Sequence, residues 1–203
     1  IGYRPDLALV WDTLTEWEAM WNFPEVQRTP TIRKTLVTSW EMKDPSTWIF
    51  KLRQGVKFHN RPPVNGREMV AEDVRYSYDL LKDKAQYATR AAMVKNIVVL
   101  DKYTLRFELK LPDPVFYLNI ADSLSPVIVP KEAVEAPGGL AENPIGTGAF
   151  MLKEFVPGEG ALLVRNPDYY LKDKDGRQLP YVDAVRLIFT KDAPSMKEKT
   201  LRY

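Results

Sequence analysis

Apolar and polar positions alternate most clearly between Ser46 and Leu81. Trp48, Phe50 and Leu52 take one side of a period of two, and Ile49, Lys51 and Arg53 take the other, which predicts a half-buried strand. Gly55 interrupts it at a turn or bulge, and Val56 and Phe58 resume the apolar side. Beyond a loop, Val70, Val74, Ser77 and Leu81 recur at helical spacing, with Glu72 and Asp73 near the positive end of the helix dipole. A strand, a long loop and a helix that packs back on the sheet are therefore expected here.

The same patterns extend along the chain. Leu7, Val10, Leu14 and Trp17 predict a helix over Leu7 to Trp21, and Ser39 with Trp40 is read as a turn. The run Ile97 to Leu100, a turn at Asp101-Lys102, and the alternation of Tyr103, Leu105, Phe107 and Leu109 predict a hairpin. A short helix is expected at Val115 to Ile120 and another after Val127-Ile128-Val129-Pro130. Ala136 to Gly148 reads as a loop whose glycines permit positive φ and close backbone approach. Strands follow at Phe150 to Phe155, Ala161 to Arg165 and Tyr181 to Phe189, and Ser195 with Glu198 is spaced as a capping box for a final helix.

Composition narrows the chemistry. Cysteine is absent, which removes thiol catalysis, disulfides, cysteine-ligated zinc and iron–sulfur clusters. A net charge of +2, with no basic block interleaved with aromatics, gives no footprint for nucleic acid. Sixteen prolines favour strands and fixed turns over long helices. No run approaches the ~18 apolar residues that a membrane helix needs. The first residue is not Met, and no basic start with an apolar run precedes the domain, so a processed or trimmed product is expected.

Few residues invite catalysis. His59 is the sole histidine, and no G-x-S-x-G elbow accompanies it, so a structural role outweighs that of a triad base. Asp173 and Asp175 before Gly176 resemble a calcium loop only faintly, without its spacing or terminal Glu. Glu72 and Asp73 are adjacent on a helix and point apart, so they suit the helix dipole better than paired acid–base work. No metal, cofactor or catalytic residue is assigned. Trp11, Trp17 and Trp21 either pack in the core or between lobes, or form a stacking wall for a ligand.

Several motifs carry a resemblance. W-I-F-K-L-R-Q-G-V-K-F-H followed by A-E-D-V-R-Y-S-Y, then the D-K-Y-T-L-R-F-E-L hairpin, N-P-I-G-T-G-A-F and N-P-D-Y-Y occur in order. From about Thr31 onward the chain resembles the family 5 extracellular solute-binding proteins, the peptide- and nickel-binding components of ABC importers. Val70 departs from the family pattern, where a Thr would cap the helix, and Ala149 replaces a usual Pro.

The resemblance implies an α/β (α+β) fold, the lobe I of a type II periplasmic-binding-protein architecture, with a mixed sheet flanked by helices. Residues 1–46 and 136–203 would form its main subdomain and 47–135 an inserted small one. A strand would precede Ile1, and a second lobe would follow Tyr203. The implied partners are a small-molecule or oligopeptide ligand and the ABC permease, for a monomer outside the cytoplasmic membrane, periplasmic or lipoprotein-anchored. Gly146, Thr147 and Gly148 are expected near the ligand cleft or hinge, with Trp17 and Trp21 as further candidates; a tight turn between subdomains is the alternative for the glycine loop. A hydrolase on an α/β scaffold is the competing function.

Overall fold

The structure, a computed structural model, describes residues 9–17, 32–82, 91–121 and 126–189. Three antiparallel sheets organise them. β1 (Thr15–Trp17) pairs with β2 (Ile32–Lys34). β3 (Val37–Asp44), β4 (Thr47–Leu52), β5 (Val94–Asp101) and β6 (Thr104–Leu109) form a four-stranded sheet in the order β3-β4-β6-β5. β7 (Phe150–Val156), β8 (Gly160–Arg165) and β9 (Ala184–Ile188) form a meander. The α/β class holds, but every strand pair among the described residues is antiparallel, where a mixed sheet was expected. Two- and three-residue turns join β3 to β4, β5 to β6 and β7 to β8, which forces those three pairs antiparallel, since a parallel neighbour needs a crossover.

The alternation predicted for β4 and β6 holds. Trp48, Phe50 and Leu52 are buried, as are Leu105, Phe107 and Leu109, and Trp48 faces Phe107 across the ladder. Helix α1 (Ala71–Leu81) packs Val74 and Tyr78 into the core on this face, while Leu81 at its end packs separately with Ala91. Phe107 sits at the centre, with ring centroids 5.1 Å from Phe50, 5.2 Å from Tyr78 and 5.8 Å from Phe116 of α2 (Phe116–Asn119). The first two contacts are edge-on, the geometry that aromatic quadrupoles favour.

Val70 caps α1 without a side-chain bond, as its apolar side chain requires. Asp73 compensates by accepting the Val70 N–H at 2.9 Å. Its carboxylate also takes both Arg67 terminal nitrogens, at 2.9 and 2.6 Å, and Arg67 reaches on to Glu132 of α3 (Lys131–Glu135). Thus Asp73 ties the helix start to the loop before it, and Arg67 ties both to α3.

Three expectations need correction. Leu9 and Val10 lie in a short 3-10 turn, residues 11–14 carry no regular structure, and β1 follows, so the described part of the Leu7 to Trp21 segment forms no α-helix. Its carbonyls bond to distant segments instead of along a helix: Val10 to Gly148, Asp12 to Ile128 and Leu14 to Val37. Ser39 and Trp40 lie inside β3, not in a turn. The glycine loop contains α4 (Gly139–Glu142), entered through Gly138 at φ 73°. The final helix expected near Ser195 lies outside the described residues.

Truncating Phe107 to Ala removes three ring contacts from a fully buried site, which should cost roughly 3–5 kcal/mol. Urea denaturation should show that loss, and a change below about 1 kcal/mol would mean that the aromatic cluster does not hold the sheet to α1.

Candidate functional site

Two glycines bring three segments into backbone contact. Gly148 donates its N–H to the Val10 carbonyl at 3.0 Å, and Trp11 donates its indole N–H to Ile145 at 3.0 Å. A Cβ built on Gly146 would collide with the Val10 carbonyl and the Trp11 ring, and one on Gly148 with the Leu9 carbonyl. Neither residue has a positive φ. These glycines are therefore required for close approach and not for an unusual backbone conformation. The strap 9–15 continues the seam, with Ile128 donating to the Asp12 carbonyl at 3.0 Å and Thr35 to the Thr13 carbonyl at 2.5 Å.

His59 clamps the same loop from the other side. Its N–H donates to the Gly146 carbonyl at 2.9 Å. Its Nε2 lies 3.0 Å from the Gly148 carbonyl, and its Nδ1 lies 3.4 Å from the Gly146 N–H. A carbonyl can only accept, so Nε2 carries the proton and Nδ1 accepts. Burial lowers its pKa to about 4, against the bond to Gly148 and with the Arg61 charge adding to the fall. His59 is fully buried with both ring nitrogens committed to backbone, so it has no nitrogen left to serve a nucleophile. Arg61 donates to the Leu152 carbonyl at 2.6 Å and Asn143 to the Pro62 carbonyl at 2.8 Å, completing the clamp. Asn166, from the N-P-D-Y-Y motif, also donates to the Gly148 carbonyl at 3.0 Å.

Thr147 points into a buried polar cluster and donates to the Asp12 carboxyl at 2.9 Å. Burial pushes the Asp12 pKa up to about 7, with the Glu16 carboxylate adding to the rise, while Thr147, Tyr170 and Arg33 counteract it. Burial likewise raises the Tyr169 and Tyr170 phenols. The Tyr170 hydroxyl lies beside Asp12 without closing a hydrogen bond of good geometry. Glu16 and Arg33 pair across β1 and β2 at the outer rim of the cluster. The cluster can hold a neutral carboxyl in a dry setting, and its rim offers an ion pair to solvent. Sequence patterning missed Asp12, because an isolated Asp in an apolar run carries no periodic signal.

The other candidates separate. The Trp17 side chain and all of Trp21 lie outside what is described. Trp11 is a core residue. Asp173 is consumed by its own turn, accepting from the Asp175 and Arg177 amides, the Arg177 guanidinium and the Tyr181 hydroxyl. Among the described residues no three His, Asp or Glu side chains converge as metal ligands. Glu72 pairs with Arg75 at 2.6 Å on a groove of about 780 Å³ between α1 and α3, where Lys102–Glu68 and Lys131–Glu135 also neutralise each other.

Comparison with known proteins places this arrangement. The sequence profile of the bacterial extracellular solute-binding proteins, family 5 Middle, matches residues 31–202. The chain belongs to this family of solute-binding proteins. It is 36% identical over 154 residues to the oligopeptide-binding protein AppA of Bacillus subtilis, covering 70% of this chain and 26% of that protein. It is 30% identical over 193 residues to di/tripeptide-binding protein 2 of Pseudomonas aeruginosa, covering 85% of this chain and 35% of the relative. The solved structure of B. subtilis AppA with a nonapeptide superposes with a TM-score of 0.73 at 28% identity, over 96% of this chain and 36% of that one. The chain thus spans about a quarter to a third of the length of these curated relatives.

Asp12 yields a signed pH dependence. Its folded pKa of about 7 exceeds its ordinary value of 3.8, so the folded chain keeps a proton that the unfolded chain releases. Stability from this group is full below about pH 4 and is lost as pH rises through about 7, a change of roughly 4 kcal/mol. Asp12→Asn removes it, so the variant should gain about that much on the wild type between pH 4 and 8. Paired urea titrations check this; a constant difference between the two proteins would show that Asp12 is ionised throughout.

Proposed function

We propose that this chain is part of lobe I of the substrate-binding component of an ABC importer, which captures peptides or similar small solutes outside the cytoplasmic membrane and hands them to a permease. The observation that carries the reading is the match over residues 31–202, together with relatives named for binding oligopeptides and di- or tripeptides. Peptides lead over other solutes on that ground. Residues 1–46 and 136–203 form the main subdomain in this reading, with 47–135 inserted, and a second lobe elsewhere in the protein closes over the ligand. The protein acts as a monomer, by binding and not by turnover, and is periplasmic or held at the membrane by a lipid anchor.

Gly146, Thr147 and Gly148 border the cleft in this account, because the loop joins the four-stranded sheet's clamp to the strap 9–15 and so lies where two parts of the lobe meet. Trp17 and Trp21 remain candidate ligand contacts. Ligand gains affinity by touching both lobes, so closure is favoured only by its tighter binding to the closed state. Main-chain hydrogen bonding to an extended peptide would give affinity with broad side-chain tolerance. A buried His59 with no free nitrogen supports binding over hydrolysis.

Thermal shift on the intact protein that carries this chain tests the reading. A pool of di- to nonapeptides should raise the midpoint, since ligand at a hundredfold excess over Kd adds about 2.7 kcal/mol. Chromatography should recover the peptides unchanged. A shift with oligosaccharides alone, or peptide cleavage lost in His59→Ala, would overturn it.

A further inference from the structure

The glycine loop is gripped by a titratable ring whose two nitrogens face opposite kinds of partner. Nε2 faces an acceptor, the Gly148 carbonyl, and Nδ1 faces a donor, the Gly146 N–H. The neutral ring satisfies both at once. A second ring proton would land on Nδ1 and set two N–H donors against each other, with no acceptor between them. The charged ring would also be buried, beside the Arg61 guanidinium. The elements packed around the ring offer little to offset that charge. The 145–148 loop meets the ring nitrogens through backbone atoms and carries no charged side chain. Asn166 is neutral and spends its amide on the same Gly148 carbonyl. Asp12, on the strap, is taken up by Thr147 on the loop.

We propose that His59 is a positioning residue whose ring fixes the Gly146 N–H in its neutral form only, so that gaining a second ring proton releases that end of the Gly146–Gly148 loop. The consequence is an acid-sensitive site. At neutral pH the loop is held between His59 and the strap 9–12. In acid the Nδ1 contact has to open, while the His59 backbone N–H still donates to the Gly146 carbonyl and Gly148 to the Val10 carbonyl. The loop would keep those bonds but lose the ring's hold on the Gly146 N–H, which becomes a buried donor without an acceptor. The bearing of this on ligand rests on the proposed function, in which the loop borders the cleft. The latch itself does not, and its test needs no ligand.

The test uses the isotope-labelled full chain at pH values between 7 and 3.5. Imidazole nitrogen shifts should show the Nε2–H tautomer at neutral pH and a ring that resists protonation until well below the ordinary histidine range. Hydrogen-exchange protection of the Gly146 amide should fall at least about tenfold once the ring is protonated, the effect of losing roughly 1.4 kcal/mol. His59→Gln keeps an amide donor and acceptor in place of the ring and does not titrate, so its Gly146 protection should hold within about twofold over the same range. An Nδ1–H tautomer, a ring titrating as an exposed histidine does, or equal acid sensitivity in both proteins would overturn the proposal. Should His59→Gln fail to fold, the tautomer and titration of the wild-type ring decide alone.

Discussion

The fold depends on how closely the backbone at Gly146–Gly148 approaches the strap at Leu9–Trp11. No side chain fits between them. Several of the hydrogen bonds that join the four-stranded sheet to the meander gather at or beside that contact, next to the apolar core that the two share. His59 and Arg61 arrive from the loop after β4, Asn166 from the end of β8, and Ile128 from the segment before α3. A buried seam made mainly of backbone hydrogen bonds is intolerant of change, because each unmade bond would strand a polar group away from water.

That seam is also where the charges are managed. Two buried titratable groups flank the loop, His59 pushed down and Asp12 pushed up, so both are neutral over mildly acidic pH. Their contributions to the pH dependence of folding run in opposite directions between about pH 4 and 6.5. A base and an acid held neutral on either side of one loop keep a dry seam free of net charge. The outer face follows a different logic. There Arg67 joins Asp73 and Glu132 in a partly exposed network, whose value lies in geometry, with two bidentate contacts at a helix start, more than in Coulomb energy.

Much of this was legible in the sequence. The alternation at Trp48, Phe50 and Leu52 and at Leu105, Phe107 and Leu109 identified the core face of the four-stranded sheet, because burial on one face enforces a period of two. The helix at Ala71–Leu81 and the N-P-I-G-T-G loop were likewise visible. What misled was the Leu7 to Trp21 segment. Its apolar spacing suits a helix, but the distant partners Gly148, Ile128 and Val37 claim its backbone, and tertiary pairing overrides local periodicity. A structural role for His59 was expected, but its partners, and Asp12 altogether, were invisible for a related reason. Each is a single polar residue whose function comes from residues more than eighty positions away, and spacing along the chain does not encode such partners.

The glycine contact offers the sharpest test, because two glycines separate space from conformation. Gly158 sits at φ 79° with open space around its would-be Cβ, while Gly148 has an ordinary backbone and no space at all. Urea denaturation of Gly148→Ala and Gly158→Ala should therefore rank them clearly. Gly158→Ala should cost about 1–2 kcal/mol for the left-handed backbone, and Gly148→Ala should cost more or prevent folding. If Gly148→Ala proves as stable as the wild type, the strap and loop are not in backbone contact and the account fails.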